Sequence, residues 1–203
     1  MNTHALLWKS RVGNIGDREL AALLADVRGA AGPRVATMSL HRGVESSDLY
    51  AHFDLVSPGE VTDSQVRSLE RALAARMGGA DGATLDRLQL VFRSAGASAA
   101  EAPAFHYVVE TDPAEGWRDE MFRWYDEEHM PGLAASPGCV LARRYLNHDH
   151  GPVSLACYDL VAPDVTATPA WLAVRGTQWS SRIRPQFRNT LRTMFRSLAP
   201  LAT

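Results

Sequence analysis

The segment "AHFDLVSPGEVT" at residues 51–62 returns as "ACYDLVAPDVT" at 156–166, with Asp54 matching Asp159. "LVFRSAG" at 90–96 returns as "TMFRSLA" at 193–199, with Phe92 matching Phe195. The order is kept and the two offsets, 105 and 103 residues, nearly agree. A chain that repeats at half its own length folds as two copies of one unit.

Each copy predicts the same elements. Strands near 4–12, 34–42, 48–56 and 84–94, with helices near 17–30 and 62–78, make the first. Strands at 104–111, 139–147, 153–161 and 188–197, with helical stretches at 115–134 and 168–180, make the second. Period-two alternation carries the strands, as in Phe105, Tyr107 and Val109 against His106, Val108 and Glu110. "NHDHGP" at 147–152 reads as a hairpin loop.

The order β-α-β-β-α-β is the ferredoxin-like unit. Such a unit covers one sheet face with its own helices and leaves the other bare. Two copies bury those bare faces against each other. The expected fold class is α+β, with two tandem ferredoxin-like βαββαβ units packed sheet to sheet as a pseudo-symmetric pair. Residues 1–96 form the first unit, 97–103 the linker and 104–203 the second.

Composition narrows the function classes. The net charge is -2, and the halves carry 11 basic with 11 acidic and 10 with 12 side chains. That balance removes the electrostatic reason to expect nucleic acid or an anionic membrane as partner. Two cysteines, Cys139 and Cys157, are too few for a disulfide framework and have no metal-ligand spacing. The start lacks a secretory pattern and no apolar run spans a bilayer, so the expectation is a cytoplasmic chain with reduced thiols.

The chemistry concentrates in "WYDEEHMPGL" at 124–133. On a regular helix with Trp117 at zero, Trp124, Met121 and Tyr125 form an apolar stripe, with Glu128 at about 20° and His129 at about 120°. Asp126 and Glu127 fall on the wet side. Glu128 is then either the partner of an arginine, Arg143 or Arg144, or part of an acid/base pair. His129 is either a helix-end residue meeting the last carbonyls or a proton carrier near neutral pH.

"RWYDEEHMPGLAASPGCVLARRY" followed by "LACYDLVAPDVTATPAW" resembles the dimeric α+β barrel superfamily, in particular its EthD-like proteins. The resemblance implies two ferredoxin-like units joined as an α+β barrel, here an intramolecular one. It also implies a ligand cavity between a unit's sheet and its helices. Members include cofactor-independent cyclases, oxygenases and isomerases, while others handle haem. The first half departs from the pattern: aligning Gly32 with Gly138 puts Leu23 in the place of His129.

The function expected is a small cofactor-independent enzyme that moves a proton on an apolar aromatic or polyketide-like carbonyl compound. His129 is the proton carrier and Glu128 tunes or orients it. Trp124, Tyr125, Tyr145, Tyr158, Trp171 and Trp179 are the candidate pocket walls, with Arg143 or Arg144 facing the ligand's oxygen. No cofactor and no metal is assigned, because His148, Asp149 and His150 read as a polar loop. The alternatives are a non-catalytic binder of a hydrophobic small molecule and a haem protein with His129 as axial ligand. The chain is expected as a monomer holding its own pseudo-dimer, or as a homodimer.

Overall fold

Alternating apolar residues bounded by turn residues give eight strands in a computed structural model, which describes residues 2–11, 13, 16–20, 22, 34–76 and 82–198. The strands are β1 (Thr3–Arg11), β2 (Val35–Gly43), β3 (Asp48–Gly59), β4 (Thr84–Ala95), β5 (Phe105–Pro113), β6 (Cys139–Asn147), β7 (Ser154–Leu160) and β8 (Phe187–Leu198). The described helices are α1 (Asp63–Arg76), α2 (Arg118–Trp124), α3 (Met130–Ala134), α4 (Pro169–Arg175) and α5 (Gln178–Ile183). The helix expected over 17–30 lies outside the described residues apart from residues 17–20 and 22, which are helical. Leu23 also lies outside them.

In hydrogen-bonding order the strands run β1-β3-β2-β8-β5-β7-β6-β4 as a closed antiparallel barrel. Both copies keep one internal order: β3 lies between β1 and β2 as β7 lies between β5 and β6. The repeated aspartates hold equivalent rungs, Asp54 opposite Ala5 and Asp159 opposite His106. Asp54 accepts from the Thr37 hydroxyl at 2.8 Å, and Asp159 accepts from Arg143 Nη2 at 3.0 Å.

Two compact units result. One gathers residues 1–89, 147–150 and 196–203, the other 90–146 and 151–195. Trp8, Leu49, Phe53 and Leu73 centre the first unit's core. In the second, Met121, Trp124, Tyr158 and Trp171 pack under the helices. Asp149 in the 147–152 loop is taken by Arg87, from the backbone amide at 2.6 Å and the guanidinium at 3.0 Å. Residues 96–98, expected at the junction of the copies, donate backbone amides to the carbonyls of Val140, Ala134 and Cys139 at 2.8–2.9 Å. Cys139 and Cys157 are buried on adjacent strands. None of the described helices is long and apolar enough to cross a membrane.

Candidate active site

Trp124 ends α2, and the five residues that follow, Tyr125–His129, make a π-helical turn before α3 resumes. Pro131 accounts for it. Proline has no N–H for the Glu127 carbonyl, and its ring crowds that oxygen. The turn ahead widens, and the Met130 amide reaches back to Tyr125 O. One surplus residue in a turn rolls everything after it back by about 100°. His129 thereby moves from the edge of the apolar stripe into it, and Glu128 moves off. This corrects the regular-helix phase, which put Glu128 in the stripe and His129 at its margin.

The His129 ring is buried, stacked on Trp124 at 4.1 Å between centroids and edge-on to Tyr125 at 5.8 Å. Its Nδ1 is buried with no hydrogen-bond partner among the described residues. Burial, and then the charges of Arg175 and Arg184, push its pKa down to about 3, so the ring is neutral. The unfolded chain binds this proton near 6.5 and the folded one near 3. Stability present above pH 6.5 is therefore lost as pH falls toward 3, at up to about 1.4 kcal/mol per pH unit. His129→Gln should flatten this part of a pH–denaturation profile; an unchanged profile would show that the ring is not buried as described.

The ring faces a cavity of about 30 Å³ in the second unit. This is room for about two water molecules. Tyr107, Ala156 and Tyr158 of the sheet form its floor, and Trp124, Tyr125 and Leu133 its roof. Tyr107 and Tyr158 sit opposite each other in register with stacked rings. Burial raises the pKa of the Tyr107, Tyr125 and Tyr158 phenols, which stay protonated. Phe187, Arg175, Arg184 and Arg192 complete the lining.

The expected site residues divide. His129, Trp124, Tyr125, Tyr158 and Trp171 line this cavity together. Glu128 does not; its Oε1 accepts from the Thr177 hydroxyl at 2.6 Å. Thr177 caps α5 by accepting from the Ser180 amide at 3.0 Å. The Ser180 hydroxyl in turn accepts from Trp124 Nε1 at 3.3 Å and donates to Val174 O at 2.9 Å. Glu128 thus reaches His129 indirectly, through the cap that anchors the indole beneath it.

Arg143 and Arg144 point to opposite faces of β6, and neither lines the cavity. Arg143 is paired with Asp159 at 3.0 Å. Arg144 is buried and grips Asp126 through Nη2 at 2.8 and 3.0 Å, its guanidinium over the Phe122 and Tyr125 rings. Asp126, assigned to the wet side, is this arginine's partner in place of Glu128. Tyr145 is buried away from the cavity, and Trp179 donates to Glu120 at 3.0 Å outside it.

No protein-family model matches the chain, and no curated protein does. Solved structures do. An anthrone oxidase-like protein aligns with a TM-score of 0.62 at 11% identity, covering 97% of this chain and 92% of that one. A ferredoxin-fold protein from Listeria monocytogenes related to antibiotic biosynthesis monooxygenases aligns at 0.52 and 11%, over 96% and 94%. A haem-binding protein from Thermus thermophilus aligns at 0.59 and 8%, over 98% and 93%. The fold is the dimeric α+β barrel. At these identities the likeness speaks of the fold alone.

Each unit has a hollow of its own. In the first unit a hollow of about 310 Å³ is lined by Leu6, Val35, Leu55, Val61 and Leu69 with Arg34 and Gln65. Among the described residues, no histidine, cysteine or carboxylate lines this hollow, whereas His129 lines the cavity of the second unit. There His129 is the only histidine on the cavity wall, without cysteine or carboxylate beside it, so a metal ion would meet a single strong ligand. Haem does not fit these residues either. The Nδ1 nitrogen lacks the acceptor that fixes a metal-ligating ring.

Proposed function

We propose that the chain is a small-molecule enzyme in which His129 moves a proton on an apolar, aromatic carbonyl compound. One observation carries this reading: a neutral imidazole with an unpartnered buried nitrogen, in a chamber lined besides by six aromatic rings, three aliphatic side chains and three arginines. A buried polar atom without a partner is costly, and a substrate proton is the partner that answers it.

The step balances without any co-reactant. The C–H bond α to the carbonyl breaks, the proton passes to His129, and the electron pair moves onto the carbonyl oxygen as an enolate. Return of the proton to another carbon completes an isomerisation. Burial and the charges of Arg175 and Arg184 disfavour the imidazolium, so the step depends on the enolate forming beside it, where the positive rim of Arg175, Arg184 and Arg192 favours the developing oxyanion. Glu128 is a positioning residue: it holds Thr177, hence Ser180, hence the indole on which the imidazole rests. A two-ring ligand needs several hundred Å³, so access requires Phe187, half-buried on the rim, to swing aside.

The test is hydrogen–deuterium exchange at the α-carbon of 2-acetylnaphthalene in D2O, followed by proton NMR. The protein should accelerate exchange, and His129→Gln should return it to background while leaving tryptophan-fluorescence titrations with the ketone unchanged. Equal exchange with both proteins, or no acceleration by either, would refute the role of the imidazole. Retained binding without exchange would leave a protein that only holds the molecule.

A further inference from the structure

From Val165 to the chain end there are six arginines and not one aspartate or glutamate. Three of the six are answered from elsewhere. Arg182 pairs with Glu120 and Arg196 with Asp17, while Arg188 donates to the carbonyls of Pro185 and Phe187. The other three are Arg175, Arg184 and Arg192. None of them makes a hydrogen bond or ion pair among the described residues, and all three line the His129 cavity.

Surface arginines are often solvated and idle, so proximity has to decide. Desolvation, and then the charges of Arg175 and Arg192, lower the pKa of Arg184. All three also act on the Tyr107 phenol at the cavity floor, against the larger effect of its burial. Three cations are thus held near one another at a partly desolvated mouth, with no counter-charge among the described residues. One oxyanion forming during turnover would still leave two of them unanswered. The guanidinium fork matches a carboxylate with two parallel N–H···O bonds. The walls beneath are aromatic, so the rest of the ligand is flat and apolar.

We infer that the ligand of the His129 cavity is an aromatic carboxylate, its acid group held within the cluster of Arg175, Arg184 and Arg192 by the two guanidiniums that the oxyanion leaves unanswered, and its ring body directed toward Trp124 and Phe187. This deepens the proposed function by naming the substrate class, and it rests on the cavity being a ligand site. It does not depend on proton transfer.

The probes are 2-naphthoate and its neutral counterpart 2-naphthalenemethanol, titrated against the full chain by tryptophan fluorescence and by calorimetry. 2-Naphthoate should bind roughly tenfold tighter or more. That preference should shrink as salt rises. Arg184 and Arg192 are exposed, so the Arg184→Gln/Arg192→Gln double variant should unfold at the same temperature as the parent. It should lose the preference for 2-naphthoate yet still bind the alcohol. The preference is read by binding alone and needs no turnover, which separates this inference from the catalytic one. Equal affinity for both probes, no binding of 2-naphthoate, or a preference that survives in the double variant would each overturn it.

Discussion

Exchanging Trp124 for alanine is expected to remove about 3–5 kcal/mol of stability. The indole is fully buried and packs against His129 at 4.1 Å, Tyr125 at 4.7 Å and Phe187 at 5.9 Å. Its N–H is also held by Ser180. Removing it opens a void beside the existing cavity, and the π-helical turn loses the surface it rests on. Chemical denaturation measures the loss. Indole added to the variant should restore part of it, because a dry apolar void binds what was removed and ligand binding favours the folded state. A loss below about 1 kcal/mol, or no rescue by indole, would place Trp124 outside the core.

Gly96→Ala is the second large effect, and its cause is backbone. A Cβ at Gly96 would lie 2.0 Å from Cys139 O, 2.5 Å from Cys139 C and 2.9 Å from Val140 C. Those atoms belong to β6 and cannot turn aside as a flexible side chain would. The same approach lets the Gly96 amide donate to Val140 O at 2.9 Å and the Ser98 amide to Cys139 O at 2.8 Å. Relieving the clash means losing these bonds, so the loss should reach about 3 kcal/mol or more. Gly132→Ala is the contrast. Its Cβ meets only the Val174 methyls, at 2.9 and 3.1 Å, and alanine gains helix propensity of about 1 kcal/mol. Equal destabilisation of the two variants in urea would overturn the assignment of the first to backbone contact.

Most of the fold was legible because strands and repeats are local signals. Asp54 and Asp159 fall on equivalent rungs because the sheet, not the helices, carries the repeat. The helix expected over 115–134 was placed well and phased badly. Wheel arithmetic assumes a constant rotation per residue, and the effect of Pro131 reaches backwards into the turn before it. That single departure interchanged the roles given to Glu128 and His129 and concealed that Asp126 meets Arg144.

The cavity arginines escaped for a different reason. Arg175, Arg184 and Arg192 come from α4, the turn before β8 and β8 itself, and no short motif joins them. A signal existed in the absence of acidic residues after Asp164, which leaves that basic stretch without local partners. Arg143 and Arg144 stood nearer the histidine in sequence, but each faces a carboxylate of its own across the strand or helix beside it.

The swollen turn at Tyr125–His129 carries a surplus of one amino acid. A helix lacking that surplus would wind evenly and still offer the same imidazole to the same chamber. The bulge is therefore slack in the winding, and it is set between an indole anchored from below and a proline that blocks the regular path. Local unwinding is easiest where a coil already holds more chain than its length requires, and here that place is the backbone that carries His129.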